Sequence, residues 1–366
     1  MDELFYDSID LLKQMIATPS TSRDEAAVAD IVERRVAQYG FNARRSGNNV
    51  WALPLDFDPQ RPTVLLNSHI DTVKPAASWT TDPFEPIDDG ERITGLGSND
   101  AGASVVSLLA TFVRLNMQPQ HCNFVFLASC EEEIGGKGGI ESVIPMLPPI
   151  AFAVVGEPTG MQPAVAEKGL MVLDGEVTGV AGHAARNEGV NAIYRAIPVI
   201  EALRTARFER ESQFLGPVKI SVTQISAGTA HNVVPDLCRF VVDVRTTDAY
   251  SNAETLALIR AMVPDATLTP RSTRLGSSSV ALDHPVVRRA VTLGRVPFGS
   301  PTLSDQALIH CPSVKIGPGD SARSHTAGEY ILHSEIREAI DTYTILLSGL
   351  RLLRGGQKKS AANAAL

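Results

Sequence analysis

Five side chains with affinity for metal ions occur along the chain, each in a short segment that contains glycine or serine: His69, Asp100, Glu133, Glu157 and His325. Two imidazoles and three carboxylates suit divalent cations such as zinc, and two ions could share one of the carboxylates. Ions held in this way activate a water molecule for hydrolysis. The residue types therefore predict a site for two divalent cations and a hydrolytic chemistry.

His69 and Asp71 follow residues 63–66, an apolar run that predicts a buried strand. Residues two apart in an extended chain point to the same side, so Asp71 could orient the His69 imidazole and raise its basicity. The alternative is a chance polar pair at a strand end.

Three consecutive glutamates, Glu131, Glu132 and Glu133, follow a second predicted strand at residues 123–128. Adjacent carboxylates at the end of an apolar strand repel one another unless cations are present. If this is a metal site, one glutamate binds the ion and its neighbour acts as general base on a water molecule. A solvated acidic turn is the alternative interpretation.

The other three candidates also have alternative interpretations. Asp100 directly precedes a predicted helix, where a carboxylate could simply cap the helix. Glu157 comes just after a predicted strand at residues 151–155, and His325 follows a glycine-rich loop, where most histidines are merely exposed. These segments lie at strand ends of one predicted domain, which is the arrangement that brings distant residues into one pocket.

Apolar strands separated by helices predict an α/β fold with a mostly parallel mixed sheet covered by helices on both faces. Helices are predicted at residues 4–16, 23–39, 101–116, 191–207 and 252–262 and from residue 283 onward. Strands are predicted at residues 50–55, 63–66, 123–128, 151–155, 172–177, 218–225, 239–244 and 313–316.

Residues 169–282 alternate strands and helices in the manner of a separate two-layer α+β domain, inserted into the first. The predicted catalytic, metal-binding domain is formed by residues 1–168 and 283–366. Residues 355–366 are expected to form a frayed tail.

Composition narrows the classes of protein. The 366 residues are 44% hydrophobic with a formal charge of −8, which disfavours nucleic-acid binding. No apolar run approaches the ~20 residues of a bilayer span, and the acidic start, residues 1–6, does not resemble a secretory signal. Four widely spaced cysteines predict reduced core thiols, not a disulfide framework or zinc knuckle. A cytoplasmic enzyme without nucleic-acid or membrane partners is expected.

The chain resembles the di-zinc deacylases and peptidases that include acetylornithine deacetylase, succinyl-diaminopimelate desuccinylase, aminoacylase and related carboxypeptidases. The resemblance covers nearly the whole chain. Its motifs are Ser68-His69-Ile70-Asp71-Thr72-Val73, Gly95-Leu96-Gly97-Ser98-Asn99-Asp100, Glu132-Glu133-Ile134-Gly135, Gly156-Glu157-Pro158-Thr159, Gly182-His183-Ala184, Asn232-Val233-Val234-Pro235-Asp236 and Ser324-His325-Thr326-Ala327-Gly328-Glu329-Tyr330.

The resemblance implies that His69 and Glu157 hold one zinc ion. Glu133 and His325 would hold the other, and Asp100 would bridge the two. Cobalt or manganese could replace zinc, because imidazole and carboxylate ligands accept several divalent ions.

Catalytic roles are implied as well. Asp71 would orient His69, Glu132 would be the general base, and His183 would stabilise the oxyanion of the tetrahedral intermediate from the inserted domain. That domain would pair two chains into a homodimer and serve as a lid. A helix-start histidine that only packs or caps is the alternative for His183.

Substrate contacts are implied at Asn232 and Arg245, whose guanidinium could bind an α-carboxylate, and at the backbone N–H groups of Gly317 and Gly319. An ordinary surface arginine is the alternative for Arg245. Three stretches, residues 184–189, 269–275 and 315–325, most resemble the branch of this family that releases ornithine in arginine synthesis. N-acetylornithine is then the expected substrate, slightly ahead of N-succinylornithine.

The sequence is also compatible with other functions. The chain could act on N-acetyllysine, succinyl-diaminopimelate or a dipeptide within the same family. It could also be a family-like binding protein that has lost catalysis, although its predicted ligand set is complete.

Overall fold

The computed structural model of the protein describes residues 2–186 and 188–352. The chain divides into two compact units: Met1–Val165, Val280–Phe298 and Ser304–Leu366 in the first, Ala166–Ser279 and Gly299–Leu303 in the second. The predicted tail at residues 355–366 lies outside the described residues.

The helices in the described residues are α1 (Asp2–Ile16), α2 (Ala26–Gln38), α3 (Ala103–Asn116), α4 (Ile140–Val143), α5 (Ala192–Thr205), α6 (Asn252–Met262), α7 (Pro285–Thr292) and α8 (His333–Leu347). The strands are β1 (Ala43–Ser46), β2 (Asn49–Ala52), β3 (Thr63–His69), β4 (Ile87–Asp88), β5 (Arg92–Thr94), β6 (Asn123–Ser129), β7 (Ile150–Val155), β8 (Ala164–Glu167), β9 (Gly169–Thr178), β10 (Gly182–His183), β11 (Lys219–Ala227), β12 (Val233–Val234), β13 (Leu237–Thr246), β14 (Thr267–Pro270), β15 (Ser278–Ser279), β16 (Phe298–Ser300), β17 (Ser313–Lys315) and β18 (Tyr330–Leu332).

The central sheet of the first unit runs in the order β1-β2-β6-β3-β7-β17. β3 is parallel to both β6 and β7, and β17 is parallel to β7, whereas β1 and β2 are antiparallel additions at one edge. The predicted mixed, mostly parallel α/β fold is confirmed. Because β3, β6, β7 and β17 run in one direction, their carboxyl ends meet at one edge of the sheet.

Burial explains why these strands are apolar and why the edge is fixed in place. Every residue of β3 and β6 is buried, as expected for parallel strands covered on both faces. Helix α3 packs against both strands and against α1 and α8, and almost all of its residues are buried. The residues at the carboxyl ends of the strands are thus held by a rigid core.

The second unit is a four-stranded antiparallel sheet in the order β11-β13-β9-β14, packed against α5 and α6. Along β9 the buried and half-buried residues alternate, so one face of the sheet carries the core. Side chains cap both helices: Asn191 accepts the N–H of Ile193 at 2.9 Å, and Ser251 forms a capping box with Glu254.

Some element boundaries differ from the sequence prediction for identifiable reasons. Helix α3 begins at Ala103 and not at Ala101, because Ser98–Gly102 form a π-helical turn with non-helical backbone angles at Asp100. Asp100 therefore does not cap α3, and that alternative is wrong. Helix α8 was missed, although Ile336, Ala339 and Ile340 recur at helical spacing.

Two further observations concern membrane-spanning helices and the cysteines. None of the described helices is long and apolar enough to cross a membrane. The four cysteines are free thiols, and Cys122, Cys130 and Cys238 are buried.

Candidate metal centre

The predicted ligands emerge from the carboxyl-terminal edge of the sheet. His69 is the last residue of β3, Glu133 lies just beyond the end of β6, and Glu157 follows the end of β7. Asp100 lies in the turn before α3, and His325 lies in the loop before β18, with its backbone in the left-handed region at φ 60°. Five segments far apart in sequence thus meet at one place.

The structure brings the five predicted ligands into two groups that share one member. His69, Asp100 and Glu157 form one group, and Asp100, Glu133 and His325 form the other. In each group one ligand atom per residue lies within 4.8 Å of the others, which is close enough for a common ion. Asp100 is the shared residue, in the bridging position that the resemblance implies for it.

The Asp100 carboxylate spans the two imidazoles. Its Oδ1 lies 3.2 Å from His69 Nε2, and its Oδ2 lies 3.5 Å from His325 Nε2. On the outer sides, Glu157 Oε1 is 3.7 Å from His69 Nε2, and Glu133 Oε2 is 3.1 Å from His325 Nε2. The two nitrogens and the carboxylate oxygens face one another across the positions that two ions would take.

Asp71 contacts the His69 ring, as expected of a residue that orients it, and it has further partners that were not predicted. The Nδ1 of His69 lies 2.9 Å from the backbone carbonyl oxygen of Asp71, and 3.5 Å from its carboxylate. The Asp71 carboxylate also accepts the N–H groups of Glu132 and Glu133 at 3.0 and 3.1 Å, and the Ser22 hydroxyl at 2.7 Å. Asp71 thus fixes both the His69 ring and the backbone of the two glutamates.

Glu131 points away from the ligands. Its backbone is left-handed, with φ 55°, and its N–H donates to the buried carboxylate of Glu25 at 3.1 Å. Its own carboxylate lies against Gly136 and Gly138, where a Cβ on Gly136 would come within 1.9 Å of it. The glycine-rich loop after the acidic triplet therefore makes room for Glu131 and turns Glu132 and Glu133 toward the site.

Three buried carboxylates that sequence reasoning missed surround the centre. They are Glu25, Asp305 and Glu329. Asp305 accepts hydrogen bonds from Ser129 Oγ at 2.6 Å and from Asn67 Nδ2 at 2.9 Å. Glu329 accepts three backbone N–H groups of the Asp100 loop. Burial raises the pKa of Glu329 to about 7. Glu329 belongs to the motif at residues 324–330 that also contains His325, and this position is a signal that could have identified it.

The charges around the two imidazoles are strongly unbalanced. Five carboxylates lie within 3.9 Å of one or other ring: those of Asp71, Asp100, Glu132, Glu133 and Glu157. Like charges at such distances in a buried site repel strongly unless cations or protons compensate them.

The pKa values of the ionisable groups show how protons would compensate this charge. Burial raises the pKa of Glu157 to about 8 and that of Glu132 well above its usual value, although the nearby His69 opposes both shifts. Burial alone would lower the pKa of His69, but the carboxylates around it, Glu157 foremost, raise it well above normal. The bond to Glu133 raises the pKa of His325 to about 9. Without cations, the site retains protons at neutral pH.

The residues present fit a pair of divalent cations. Glu157 Oε1 is buried and has no hydrogen-bond partner among the described residues. Buried polar atoms normally have a partner, so this oxygen is expected to bind a metal ion. Imidazole nitrogens and carboxylate oxygens are ligands that zinc accepts in catalytic sites.

The two loop glycines predicted to hold a substrate carboxylate, Gly317 and Gly319, have different surroundings. The N–H of Gly317 donates to the Thr159 hydroxyl at 3.1 Å, so it is already engaged. Gly319 has φ 84°, and a Cβ there would lie 2.1 Å from Asn99 Oδ1, so only glycine fits.

The remaining predicted site residues belong to the second unit. His183 is exposed on β10, and its Nδ1 accepts the N–H of Ala185 at 3.1 Å. Asn232 is exposed, and its backbone oxygen accepts the N–H of Ala184 at 3.0 Å. The guanidinium of Arg245 is half-buried and bonds Asp243 at 2.9 and 3.1 Å. Their predicted roles stay predictions.

Comparisons with known proteins agree with the resemblance. Residues 165–269 match the peptidase dimerisation domain. A Mycobacterium tuberculosis protein assigned as a succinyl-diaminopimelate desuccinylase is 28% identical over 95% of this chain and 100% of its own length. The acetylornithine deacetylase of Myxococcus xanthus is 27% identical over 87% of this chain and 91% of its own length.

A solved structure shares the fold. A dinuclear metal-binding peptidase from Bacillus subtilis has a TM-score of 0.72 at 16% identity, over 95% of this chain and 98% of its own length. The sequence matches described above confirm the predicted family resemblance and the predicted class, a metallohydrolase of amide bonds.

The ionisation of the ligands predicts how pH acts on the metal-free protein. Between the unfolded and folded pKa values, the folded protein binds more protons than the unfolded one. This range runs from about 4.5 to about 8 for Glu157 and from about 6.5 to about 9 for His325. The free energy of unfolding must then fall as pH rises through these ranges. We expect the melting temperature in chelator to decrease from pH ~6 to pH ~9, whereas added zinc stabilises the protein increasingly, because its ligands must lose protons. Differential scanning calorimetry checks both trends, and a metal-free melting temperature that rises over this range would contradict the charge assignment.

Proposed function

We propose that this chain, a metallohydrolase related to the di-zinc deacylases and peptidases, hydrolyses the amide bond of an Nα-acyl amino acid, with N-acetylornithine as the preferred substrate. The observation that carries the proposal is the Asp100 carboxylate between two imidazoles, each flanked by a further carboxylate. This donor set suits a dinuclear hydrolytic centre. Zinc is the proposed ion, with cobalt and manganese as alternatives.

His69, Asp100 and Glu157 would hold one ion, and Asp100, Glu133 and His325 the other. Bound divalent ions supply Lewis acidity, which activates water and polarises the amide carbonyl.

Glu132 is the proposed general base. Its carboxylate lies 3.9 Å from His69 Nε2 but belongs to neither ligand group, and its backbone is fixed by Asp71. Burial raises its pKa well above that of an ordinary glutamate, which suits a group that must both accept and return a proton near neutral pH. Glu132 would remove the proton from the attacking water and deliver it to the departing amine nitrogen.

His183 is the proposed oxyanion donor. Because its Nδ1 accepts the N–H of Ala185, the proton of the neutral ring is on Nε2, which can donate to a developing negative charge. Its donation to substrate could take place within one chain or between the two chains of a dimer.

Several features support an amino-acid substrate with a free carboxylate. Asn232 is exposed, and Gly319 lies in the loop that leads to His325. Arg245 carries a guanidinium fork that matches a carboxylate, although Asp243 engages part of it. Acetylornithine deacetylase is the name of one relative, which supports ornithine, and arginine synthesis is the proposed setting. Free cysteines support a cytoplasmic location.

One rival activity has a specific observation in its favour. The relative from Mycobacterium tuberculosis bears the name of a desuccinylase, and its alignment covers its whole length. A succinyl substrate would bring a further carboxylate, and its site would need an additional arginine or lysine side chain to bind it. A binding protein without activity is disfavoured, since all five ligand side chains are present and grouped.

The second unit is the proposed dimer interface. Its strand β11 pairs only with β13, so one edge of the sheet is open within the described residues. Large apolar side chains are exposed on α5 and β11, including Tyr194 at 71%, Ile197 at 59% and Ile225 at 59%. An open strand edge beside exposed apolar side chains is typical of an interface between copies of a chain.

Replacing Glu132 by Gln tests the proposed base. The amide keeps the shape of the side chain but cannot accept the proton, so kcat should fall by a factor of ~100 or more. Metal content, measured by atomic emission, should stay at the wild-type value because Glu132 is not a ligand. The control Glu131→Gln, one residue earlier and directed at the glycine loop, should change kcat by less than about tenfold. Wild-type turnover in the Glu132 variant would remove it from this role.

A substrate panel tests the proposed activity. We expect kcat/KM for N-acetylornithine and N-succinylornithine to exceed that for N-acetyllysine, N-succinyl-diaminopimelate and a dipeptide by about tenfold or more, with the acetyl compound ahead. Steady-state assays with the zinc-loaded protein give the ranking. A dipeptide or N-acetyllysine at the head of the series would refute the ornithine assignment.

A charge on α5 tests the proposed interface. Ile197→Asp places a carboxylate in an apolar contact, so the dimer dissociation constant should rise by about tenfold or more. Ile345→Asp on α8 is the control, because Ile345 is similarly exposed, at 56%, but lies in the first unit. Sedimentation velocity over a concentration series distinguishes them. If Ile197→Asp remains as dimeric as the wild type, α5 is not at the interface.

A further inference from the structure

The loop that carries Asp100 is held by a carboxylate from a distant part of the chain. Glu329 is only 2% exposed. Its Oε1 accepts the N–H groups of Asn99 at 2.9 Å and Asp100 at 2.8 Å, and its Oε2 accepts the N–H of Gly97 at 3.1 Å. Both oxygens of one buried side chain are thus used on a single four-residue stretch.

These N–H groups need an outside acceptor. Gly97 is left-handed, at φ 76°, and Asp100 has φ −118° and ψ 97°, so the turn does not form a regular helical hydrogen-bond pattern. A buried N–H without a partner is costly, and a carboxylate is a stronger acceptor than a carbonyl group. The conformation that points the Asp100 side chain between the imidazoles therefore depends on Glu329.

Glu329 also belongs to the segment that supplies His325, four residues earlier in the chain. The two loops are joined again by Asn99, whose Nδ2 donates to the Asp320 carbonyl at 3.1 Å and to Ser324 Oγ at 3.3 Å. The loops that supply Asp100 and His325 are thus tied together around one carboxylate.

The two ligand groups differ in how much they depend on this connection. His69 is the last residue of the buried strand β3, and Glu157 follows closely on β7, so the sheet core positions both. His325 lies on an exposed loop, with 53% of its side chain accessible, and has no strand to hold it. Loss of the connection should affect the His325 group more.

We propose that Glu329 is a positioning residue that holds the shared Asp100 carboxylate and the His325 loop in register, and so sets the affinity for the ion bound by Asp100, Glu133 and His325. This inference rests on the proposed dinuclear centre. Glu329 itself belongs to neither ligand group.

The test is a cobalt titration of the metal-free full-length protein, followed by visible absorption and calorimetry. The wild type should bind two equivalents, and His325→Ala identifies the equivalent that belongs to the His325 group. In Glu329→Gln the amide oxygen can still accept from Asn99 and Asp100, but the amide nitrogen faces the N–H of Gly97 and the charge is lost. Affinity for the identified equivalent should fall by about 10- to 100-fold, with a much smaller change at the other.

Controls separate positioning from a general loss of stability. Glu254→Gln removes a carboxylate that accepts the backbone N–H of Ser251, the residue that caps α6 in the second unit, and should leave both cobalt affinities unchanged. Glu329→Asp, which keeps the charge on a shorter side chain, should recover part of the affinity that Glu329→Gln loses.

Failure of the inference and failure of the metal centre give different results. If the wild type does not bind two equivalents, the proposed dinuclear centre is refuted. If it binds two and Glu329→Gln binds both as tightly as the wild type, or weakens both equally, Glu329 does not position the His325 group and the inference is overturned.

Discussion

Repulsion among buried carboxylates is the constraint on which the rest of the site depends. Five acidic side chains, all mostly buried, lie within 3.9 Å of one or other of two imidazole rings at one edge of the sheet. Protons can compensate part of this charge, and the raised pKa values of Glu157 and His325 show that they would do so in the absence of metal. Divalent cations compensate this charge more completely, because the same carboxylates then serve as ligands of a positive ion.

The surrounding strands, helices and hydrogen bonds keep the ligand side chains together although their carboxylates repel one another. Parallel strands bring His69 and Glu157 to one edge, and α3, buried between the sheet and two helices, fixes the turn that bears Asp100. Further carboxylates then hold the backbone: Asp71 binds the N–H groups of Glu132 and Glu133. In these loops, carboxylates accept backbone N–H groups, whereas in the sheet the carbonyl groups of neighbouring strands accept them.

The parts of the site that follow from local sequence were predictable. Ligands such as His69 and Glu157 stand directly after apolar strands, so residue type and position together indicate the metal site. Glu25 and Asp305 were missed because their partners lie about 100 or more residues away, and an isolated acidic residue carries no sign of a distant partner. Glu329 stands in the motif that contains His325, but no role was predicted for it, because the N–H groups that it accepts lie 229 to 232 residues away. The π-helical turn at Asp100 was missed for a related reason, since its backbone conformation depends on tertiary contacts and not on helix propensity.

The most direct measurement of the central claim is the anomalous diffraction of crystals grown with zinc, recorded on both sides of the zinc absorption edge. The account predicts two anomalous peaks in each chain, one among His69, Asp100 and Glu157 and one among Asp100, Glu133 and His325, with a carboxylate oxygen of Asp100 directed at each. A single peak, or peaks away from Asp100, would contradict it.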